Sequence, residues 1–196
     1  MTGSILGKQL FIGKGVDLTS IDAEKDAATF SKWAEQPQFN RRFNFGMFRL
    51  IPEHEMKKKL AENLKKAEEK RNAFLFAVRK HDGGDLIGFA RIIWILHAHQ
   101  VGTLFIDFGE ETDLIKHGAE TLQMMLRYGF MEANLNRLDV TLPAYETEMI
   151  ALYESKGFLR EVQRREAAFH ANRRWDELVY ALLKPDFKKN NEEEQK

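Results

Sequence analysis

The spacing of apolar residues changes abruptly at residue 73, and this change constrains the fold more than any other feature of the chain. Before it, a segment rich in lysine and glutamate, Pro52–Arg71, carries apolar residues at intervals of three or four, which predicts a helix: Met56, Leu60, Leu64 and Ala67. After it, three apolar runs predict strands of an antiparallel meander over 73–79, 86–98 and 101–108. The pattern therefore excludes a doubly wound parallel sheet.

The other segments complete a mixed pattern. A first strand is expected over Lys8–Val16, and Ser20 or Asp22 then begins a first helix. The segment Gln36–Leu50 contains Pro37 and four phenylalanines, and we expect an ordered loop there: Phe39, Phe43, Phe45 and Phe48. Downstream we expect a helix over 113–133, a strand over 138–142 that Pro143 ends, and a fourth helix over 146–156 with Gly157 at its left-handed C-cap. Two closing strands follow over 159–169 and 177–183. This order predicts an α/β (α+β) fold with a mixed, mostly antiparallel sheet of about seven strands and four helices.

Composition limits the classes of protein that the chain can represent. Its 196 residues, 43% of them hydrophobic, predict one domain over 1–187 and a disordered polar tail over 188–196, with fraying from Phe187. Thirty basic and thirty acidic residues balance, which argues against nucleic acid or an anionic membrane as a partner. The absence of cysteine excludes disulfides, thiolate metal ligands and a cysteine nucleophile.

The first residues have no apolar run long enough for a signal peptide, and no segment approaches the roughly 20 apolar residues of a membrane span. We therefore expect a cytoplasmic protein. The two exposed strands near the C-terminus leave a homodimer open.

The junction between Phe105–Phe108 and the following helix is the first candidate site. A strand, a loop and a helix in succession present unpaired backbone N–H groups at the start of the helix, and such groups bind phosphate. Gly118 has no β-carbon to obstruct a bulky anion. An ordinary helix entry remains the alternative interpretation of this segment.

Four sequence blocks raise the phosphate-binding interpretation above that alternative: Gly118–Glu120, Tyr128–Phe130, Asn134–Leu138 and Ala151–Phe158. In order and spacing they resemble the GNAT N-acetyltransferases, especially the RimJ/RimL-like branch. The segment Arg173–Leu178 also resembles that branch, and the match extends from about Thr103 to Leu183.

The resemblance implies that acetyl-coenzyme A binds between two strands that splay apart. Backbone groups of Ile106 and Phe108 would bind the pantetheine arm. The N–H groups that would hold the pyrophosphate belong to six consecutive residues: Leu114, Ile115, Lys116, His117, Gly118 and Ala119. Glu146, which stands where the family commonly has asparagine at the start of the fourth helix, completes the predicted cofactor-binding set.

The implied reaction is direct attack of a primary amine, on a small molecule or a protein N-terminus, on the thioester. Tyr153 matches the family tyrosine that donates a proton to the sulfur, although a core aromatic on an amphipathic helix is the alternative. Asp107, Glu110 and Glu111 are candidates for the base that deprotonates the amine, or else solvated surface charges. His97 and His99 share a strand face but have no third ligand nearby in sequence, so we expect hairpin histidines and no metal.

Three departures from the family pattern support a competing hypothesis, a GNAT-fold binding or regulatory module without activity. Asp113 stands where a cation or amide is usual, Lys116 replaces a glycine, and Glu146 replaces asparagine. On the acceptor side, Arg41, Arg42 and the phenylalanines could line a pocket for an amphipathic or acidic acceptor, or simply attach the segment to the core. A Rossmann-type enzyme is disfavoured, because no glycine-rich fingerprint follows a first strand.

Overall fold

The structure is a computed structural model that describes residues 9–44, 48–81 and 84–193. Its strands are β1 Val16–Thr19, β2 Phe74–Lys80, β3 Leu86–Leu96, β4 Val101–Phe108, β5 Arg137–Pro143, β6 Leu159–His170 and β7 Arg173–Leu183. Its helices are α1 Ala27–Trp33, α2 Pro37–Asn44, α3 Glu53–Lys70, α4 Glu111–Arg127, α5 Thr147–Ser155 and α6 Lys184–Glu193, and a π-helical turn, Tyr128–Glu132, follows α4.

The seven strands form one sheet in the order β1-β2-β3-β4-β5-β7-β6. β4 and β5 are parallel, whereas the β1–β2, β5–β7 and β6–β7 pairs are antiparallel. This confirms the predicted mixed, mostly antiparallel sheet. The described residues contain six α-helices where the sequence predicted four, because two segments that were expected to be irregular form α2 and α6.

Residues 1–91 and 106–124 form one compact unit, and its described part has an aromatic core. The Phe30 ring lies within 6.2 Å of four other rings, centroid to centroid: Trp33, Phe39, Phe43 and Phe89. Phe39 and Phe43 are 1% and 4% exposed and lie one helical turn apart on α2. The expected loop over Gln36–Leu50 is therefore wrong for 37–44. Pro37 fits the first turn of a helix, and the phenylalanines attach α2 to the core.

The N-terminal part of this unit also differs from the sequence expectation. The chain turns at Gly13, where a Cβ would lie 2.4 Å from the Val16 carbonyl oxygen, so β1 begins at Val16 instead of near Lys8. Helix α1 begins after Asp26, because the Asp26 carboxylate accepts hydrogen bonds from the Asp22 amide and from Arg79. Residues 1–8 and Phe45, which the predictions included, lie outside the described residues.

Residues 92–105 and 125–196 form the second compact unit. Residues 177–183 of β7 pair with β5, and the other edge of β7 pairs with β6. Gly157 follows α5 with φ of 89°, which confirms the predicted left-handed C-cap. Fraying from Phe187 is wrong for 187–193, because α6 continues to Glu193 and Phe187, 5% exposed, packs on Phe130 with 5.1 Å between ring centroids.

Within the described residues, no helix has both the length and the apolar character needed to cross a membrane. The boundaries of a single domain over 1–187 stay a prediction.

Candidate active site

Helix α5 buries Tyr153 completely. The side chain is 0% exposed, and its ring packs edge-on against Phe158 with centroids 4.9 Å apart. Its hydroxyl donates a hydrogen bond of 3.2 Å to the backbone carbonyl oxygen of Leu104. The core-aromatic interpretation of Tyr153 is thus correct for the ring, while the hydroxyl contacts a main-chain group of β4.

The Leu104 carbonyl lies at a distinctive point of the sheet. The parallel pairing of β4 with β5 joins Val101–Thr103 to Arg137–Asp139, and Leu104 is the first residue of β4 beyond it. β4 nevertheless continues to Phe108, and β5 continues to Pro143 while it pairs with β7. Because backbone groups of a buried strand need partners, a strand that leaves its neighbour must find them elsewhere. The Tyr153 hydroxyl is such a partner for the Leu104 carbonyl.

The start of α4 differs from the predicted phosphate-binding loop. The helix begins at Glu111, and the Leu114 amide already donates to the Glu110 carbonyl at 3.2 Å. The amides from Leu114 to Ala119, which were predicted to hold pyrophosphate, therefore lie inside the regular helix and are used by its own carbonyls. The amides that α4 leaves without intrahelical partners precede them, at Glu110–Asp113. The predicted phosphate donors are therefore engaged within α4, and the amides that could serve instead lie one turn earlier.

Charge at this helix start is mostly negative. Glu110 and Glu111 are exposed, and the Asp113 carboxylate lies 3.9 Å from the Lys80 ammonium group. Acidic residues stabilise the N-terminus of a helix through its dipole, but they also repel an incoming phosphate. Lys116 is exposed and remains the cation available on this part of α4. These carboxylates make the start of α4 less favourable for an anion than an uncharged helix start would be.

The His117 side chain packs against the segment that precedes β1, and its role as a phosphate contact stays a prediction. Its side chain is 5% exposed, and a Cβ at Gly15 would lie 3.0 Å from its Nδ1 atom. One turn further, the Glu120 carboxylate accepts hydrogen bonds from the backbone amides of Lys14 and Gly15. This side of α4 holds the segment before β1, whereas Ile115 is 72% exposed on another side.

Asp107 lies in a buried ion pair. Its carboxylate is 1% exposed, with the Arg42 Nε atom at 2.6 Å and an Arg91 Nη2 atom at 3.8 Å. Arg91 also donates to the Arg42 carbonyl at 2.6 Å, so the three residues join α2, β3 and β4. The carboxylate thus serves as a structural link between these elements, and this placement argues against the predicted role of Asp107 in catalysis.

Two contacts beside this pair fix the end of β4, and the sequence reasoning missed both. Gln36 donates to the Gly109 carbonyl at 2.9 Å, and a Cβ at Gly109 would lie 1.9 Å from the Trp33 Nε1 atom. The signal that could have found the ion pair is a charge within an apolar strand, as at Asp107 and Arg91. Nothing in the sequence indicates the close approach at Gly109.

Lys59 on α3 lies near the same aromatic core. Its Nζ atom is 5.2 Å from the centroid of the Phe43 ring. Burial lowers the pKa of Lys59, and the nearby charges of Arg49 and Arg91 lower it further, while Glu55 acts in the opposite direction. The cations near this aromatic core therefore include a lysine that the sequence analysis did not single out.

Glu146 is the N-cap residue of α5 and is 7% exposed. Its amide donates to the Pro143 carbonyl at 3.0 Å, and its carbonyl accepts from the Ile150 amide at 2.9 Å. The departure from the family asparagine thus places a buried carboxylate at the start of the helix that carries Tyr153.

His97 lies in the turn between β3 and β4 with His99, as the hairpin interpretation predicted. Among the residues that the structure describes, no three His, Asp or Glu side chains are close enough together to hold a metal ion.

The family described as acetyltransferase (GNAT) domain matches residues 17–159 of the chain. The chain belongs to this acetyltransferase family, which confirms the resemblance found in the sequence. No curated protein sequence matches the chain.

Solved structures show the same fold. Mutant forms of the spermidine/spermine N-acetyltransferase SpeG from Vibrio cholerae align with a TM-score of 0.74 at 20% identity, over 91% of this chain and 99% of theirs. A GNAT-family acetyltransferase from Bacillus anthracis aligns with a TM-score of 0.72 at 20% identity, over 89% of this chain and 98% of its own. At this identity the likeness establishes the GNAT fold alone.

Proposed function

We propose that the protein is an N-acetyltransferase that transfers acetyl from acetyl-coenzyme A directly to a primary amine of a small molecule or a protein N-terminus. The observation that carries the proposal is the hydrogen bond from Tyr153 to Leu104, at the point where β4 leaves its pairing with β5. A buried phenol at this end of the β4–β5 pairing suits a thioester whose sulfur needs a proton donor. Membership of the GNAT family supports the same reaction.

Ile106, Phe108 and Lys116 keep their predicted cofactor contacts in this proposal, and the first turn of α4 replaces the other predicted phosphate donors. The backbone of Ile106 and Phe108 binds the pantetheine amides, as the family resemblance implies. The first-turn amides of α4 at Glu111–Asp113 hold the pyrophosphate, and Lys116 supplies a positive charge. The coenzyme provides the activated acetyl group, while Tyr153 donates a proton to the departing sulfur. We place this reaction in the cytoplasm.

Neither Asp107 nor the exposed glutamates is well suited to deprotonating the amine. The guanidinium groups of Arg42 and Arg91 engage Asp107, and water surrounds Glu110 and Glu111. The acceptor is thus defined here only by its primary amine.

Thermal denaturation with acetyl-coenzyme A is the first test. A ligand at about 100 times its dissociation constant adds roughly 2.7 kcal/mol to the free energy of unfolding. For a chain of this size that corresponds to a rise in Tm of roughly 5–10 °C. No rise at millimolar acetyl-coenzyme A, together with no acetyl transfer to a panel of primary amines, refutes the proposal.

Tyr153→Phe tests the observation that carries it. We expect kcat to fall roughly 100-fold, with the dissociation constant of acetyl-coenzyme A nearly unchanged, because the variant removes only the proton donor. Tyr180→Phe is the matched control, since Tyr180 is also buried and donates to Glu154 at 2.8 Å. If both variants keep wild-type kcat, Tyr153 is not the proton donor.

The competing function, a GNAT-fold binding or regulatory module, is supported by the acidic, fully helical start of α4. It predicts a rise in Tm with acetyl-coenzyme A but neither acetyl transfer nor thioester hydrolysis with any amine. A homodimer stays a prediction for either function.

A further inference from the structure

The hairpin formed by β6 and β7 carries a surplus of positive charge. In a chain whose basic and acidic residues balance, residues 159–175 contain five arginines and two glutamates: Arg160, Arg164, Arg165, Arg173 and Arg174, with Glu161 and Glu166. Arg164 pairs with Glu177 on the neighbouring strand at 3.0 Å. Arg173 and Arg174 are exposed and form no ion pair with any residue that the structure describes.

The tip of the hairpin, around the turn Ala171–Asn172, holds its arginines in place. Both turn residues have positive φ, 48° and 56°, as in the type I′ turn that joins two strands tightly. The Arg173 guanidinium carbon lies 4.2 Å from the centroid of the Trp175 ring, and the Trp175 Nε1 atom donates to the His170 carbonyl oxygen at 3.3 Å. The Tyr145 ring packs on the His170 and Trp175 rings, at 4.6 and 5.5 Å between centroids. A side chain fixed in this way loses less conformational freedom when it binds a ligand.

The hairpin extends past β5 at the end of the sheet where β4 and β5 stop pairing. The pairing of β5 with β7 ends at Pro143, so residues 173–176 of β7 continue beyond it. β4 runs parallel to β5, and Leu104, whose carbonyl accepts from the Tyr153 hydroxyl, follows their last pair. Both strands therefore run toward the hairpin tip.

The separation between Leu104 and the tip can be measured along β7. Leu104 is level with Val140, one position beyond the last β4–β5 pair, and Val140 pairs with Tyr180. Arg173 lies seven residues nearer the tip than Tyr180. At 3.3 Å per residue the separation is roughly 23 Å. An extended chain whose N-terminal amine lies beside Leu104 therefore reaches Arg173 with its seventh or eighth residue.

We propose that the acceptor is a peptide or protein N-terminus followed by an acidic segment, and that Arg173 and Arg174 bind carboxylates at about its sixth to eighth residues. This inference rests on the proposed function. The planar guanidinium group of arginine suits such a partner, because it can bind a carboxylate through two parallel hydrogen bonds. A polyamine carries several positive charges and is repelled by the same surface.

A nucleic acid is the other polyanion that arginines and aromatic rings can bind, but acidic side chains interrupt this surface. Glu166 is exposed, and Asp176 and Glu177 follow the arginines along β7. A phosphate backbone needs cations all along its path, whereas a short acidic segment can place a few carboxylates on two arginines. The surface therefore favours the acidic peptide.

The test is acetyl transfer to synthetic decapeptides that differ only in their charge. They share the same first residue, and residues six to eight are Glu in one peptide and Gln in the other. We expect the wild type to have a KM roughly 3- to 30-fold lower for the Glu peptide and a similar kcat, because exposed ion pairs add binding without touching the reacting groups. A third peptide with Glu at residues two to four should show no such gain, and about 1 M NaCl should remove the preference by screening.

The double variant Arg173→Gln/Arg174→Gln tests the two arginines. It should lose the preference for the Glu peptide, whereas Arg173→Lys/Arg174→Lys, which keeps both charges, should retain part of it. Both variants remove the guanidinium group from the Trp175 ring, so a folding defect would affect both alike. The matched control is Lys188→Gln/Lys189→Gln, which removes the same charge from exposed residues of α6 and should keep the full preference.

Equal KM values for the Glu and Gln peptides in the wild type overturn the inference, and so does a preference that survives in a folded Arg173→Gln/Arg174→Gln protein. Binding of a fluorescent single-stranded RNA oligonucleotide that this variant loses, with no preference between the peptides, assigns the hairpin to nucleic acid instead. If the wild type acetylates small primary amines but neither peptide, the inference fails and the proposed function stands. If it acetylates no amine at all, the proposed function itself fails, and the two failures are thereby distinguished.

Discussion

The substitution Asp107→Asn tests whether the Asp107 carboxylate stabilises the fold or takes part in the reaction. In the wild type the Asp107 side chain is 1% exposed and lies 2.6 Å from the Arg42 Nε atom and 3.8 Å from Arg91. Asparagine keeps the shape of the side chain but leaves two guanidinium groups without this anion. We therefore expect a loss of stability and no specific loss of chemistry.

The magnitude follows from burial. Removing one partner of a buried ion pair costs about 3–5 kcal/mol. The Arg42 side chain is 18% exposed, and water can replace part of the lost interaction, so the lower end of that range applies. About 3 kcal/mol corresponds to a fall in Tm of roughly 6–12 °C for a chain of this length.

The assay is thermal denaturation by circular dichroism at pH 7, with acetyl transfer measured well below the Tm of the variant. The control is Glu110→Gln, which changes an exposed carboxylate three residues nearer α4 and should leave Tm within about 2 °C. A variant with the wild-type Tm and a large loss of kcat would refute the reasoning, because Asp107 would then act on the reaction and not on the fold.

Three further changes test other parts of the structure. Gly109→Ala should lower stability by about 1–3 kcal/mol in urea denaturation, because its Cβ would lie 1.9 Å from the Trp33 Nε1 atom, and a simultaneous Trp33→Leu should recover part of that loss. Phe187→Ala should lower it by about 3–4 kcal/mol if α6 packs on Phe130, whereas a frayed tail predicts no change. Backbone and side-chain hydrogen bonds lower the pKa of Asp176, so this carboxylate stabilises the folded state above its unfolded pKa. The difference in stability between the wild type and Asp176→Asn should therefore shrink as the pH falls below about 4, and a constant difference would contradict it.

The sequence was most informative where the apolar pattern of an element ended at a glycine. β4 has the predicted bounds, Val101–Phe108, because an apolar run ends there at Gly109. Gly157 was recognised because a left-handed C-cap strongly favours glycine. These are local preferences, which a single sequence displays.

It was least informative where tertiary packing decides the outcome. The segment of α2 looked like a loop because Pro37 and several aromatic residues have low helix propensity, yet burial of Phe39 and Phe43 outweighs that preference. The tail at Phe187 looked too polar to pack, and one aromatic contact with Phe130 suffices to dock it. Asp107 was recognised as a candidate base by position, but its guanidinium partners come from residues 16 and 65 positions away in the sequence.

The departures of this chain from the family pattern lie on two helices and have different consequences. On α4, the residues that replace the loop continue the helix back to Glu111 and surround its free amides with carboxylates. We expect these carboxylates to weaken the binding of pyrophosphate, whereas the proposed proton donor, Tyr153, lies on another helix. On α5, Glu146 places a buried carboxylate at the N-cap of the helix that carries Tyr153. If α4 is altered and α5 is intact, the enzyme should have a high KM for acetyl-coenzyme A and an ordinary kcat. A module without activity should instead bind the coenzyme and show no measurable kcat at any concentration. The kcat at saturating acetyl-coenzyme A therefore decides between the competing functions.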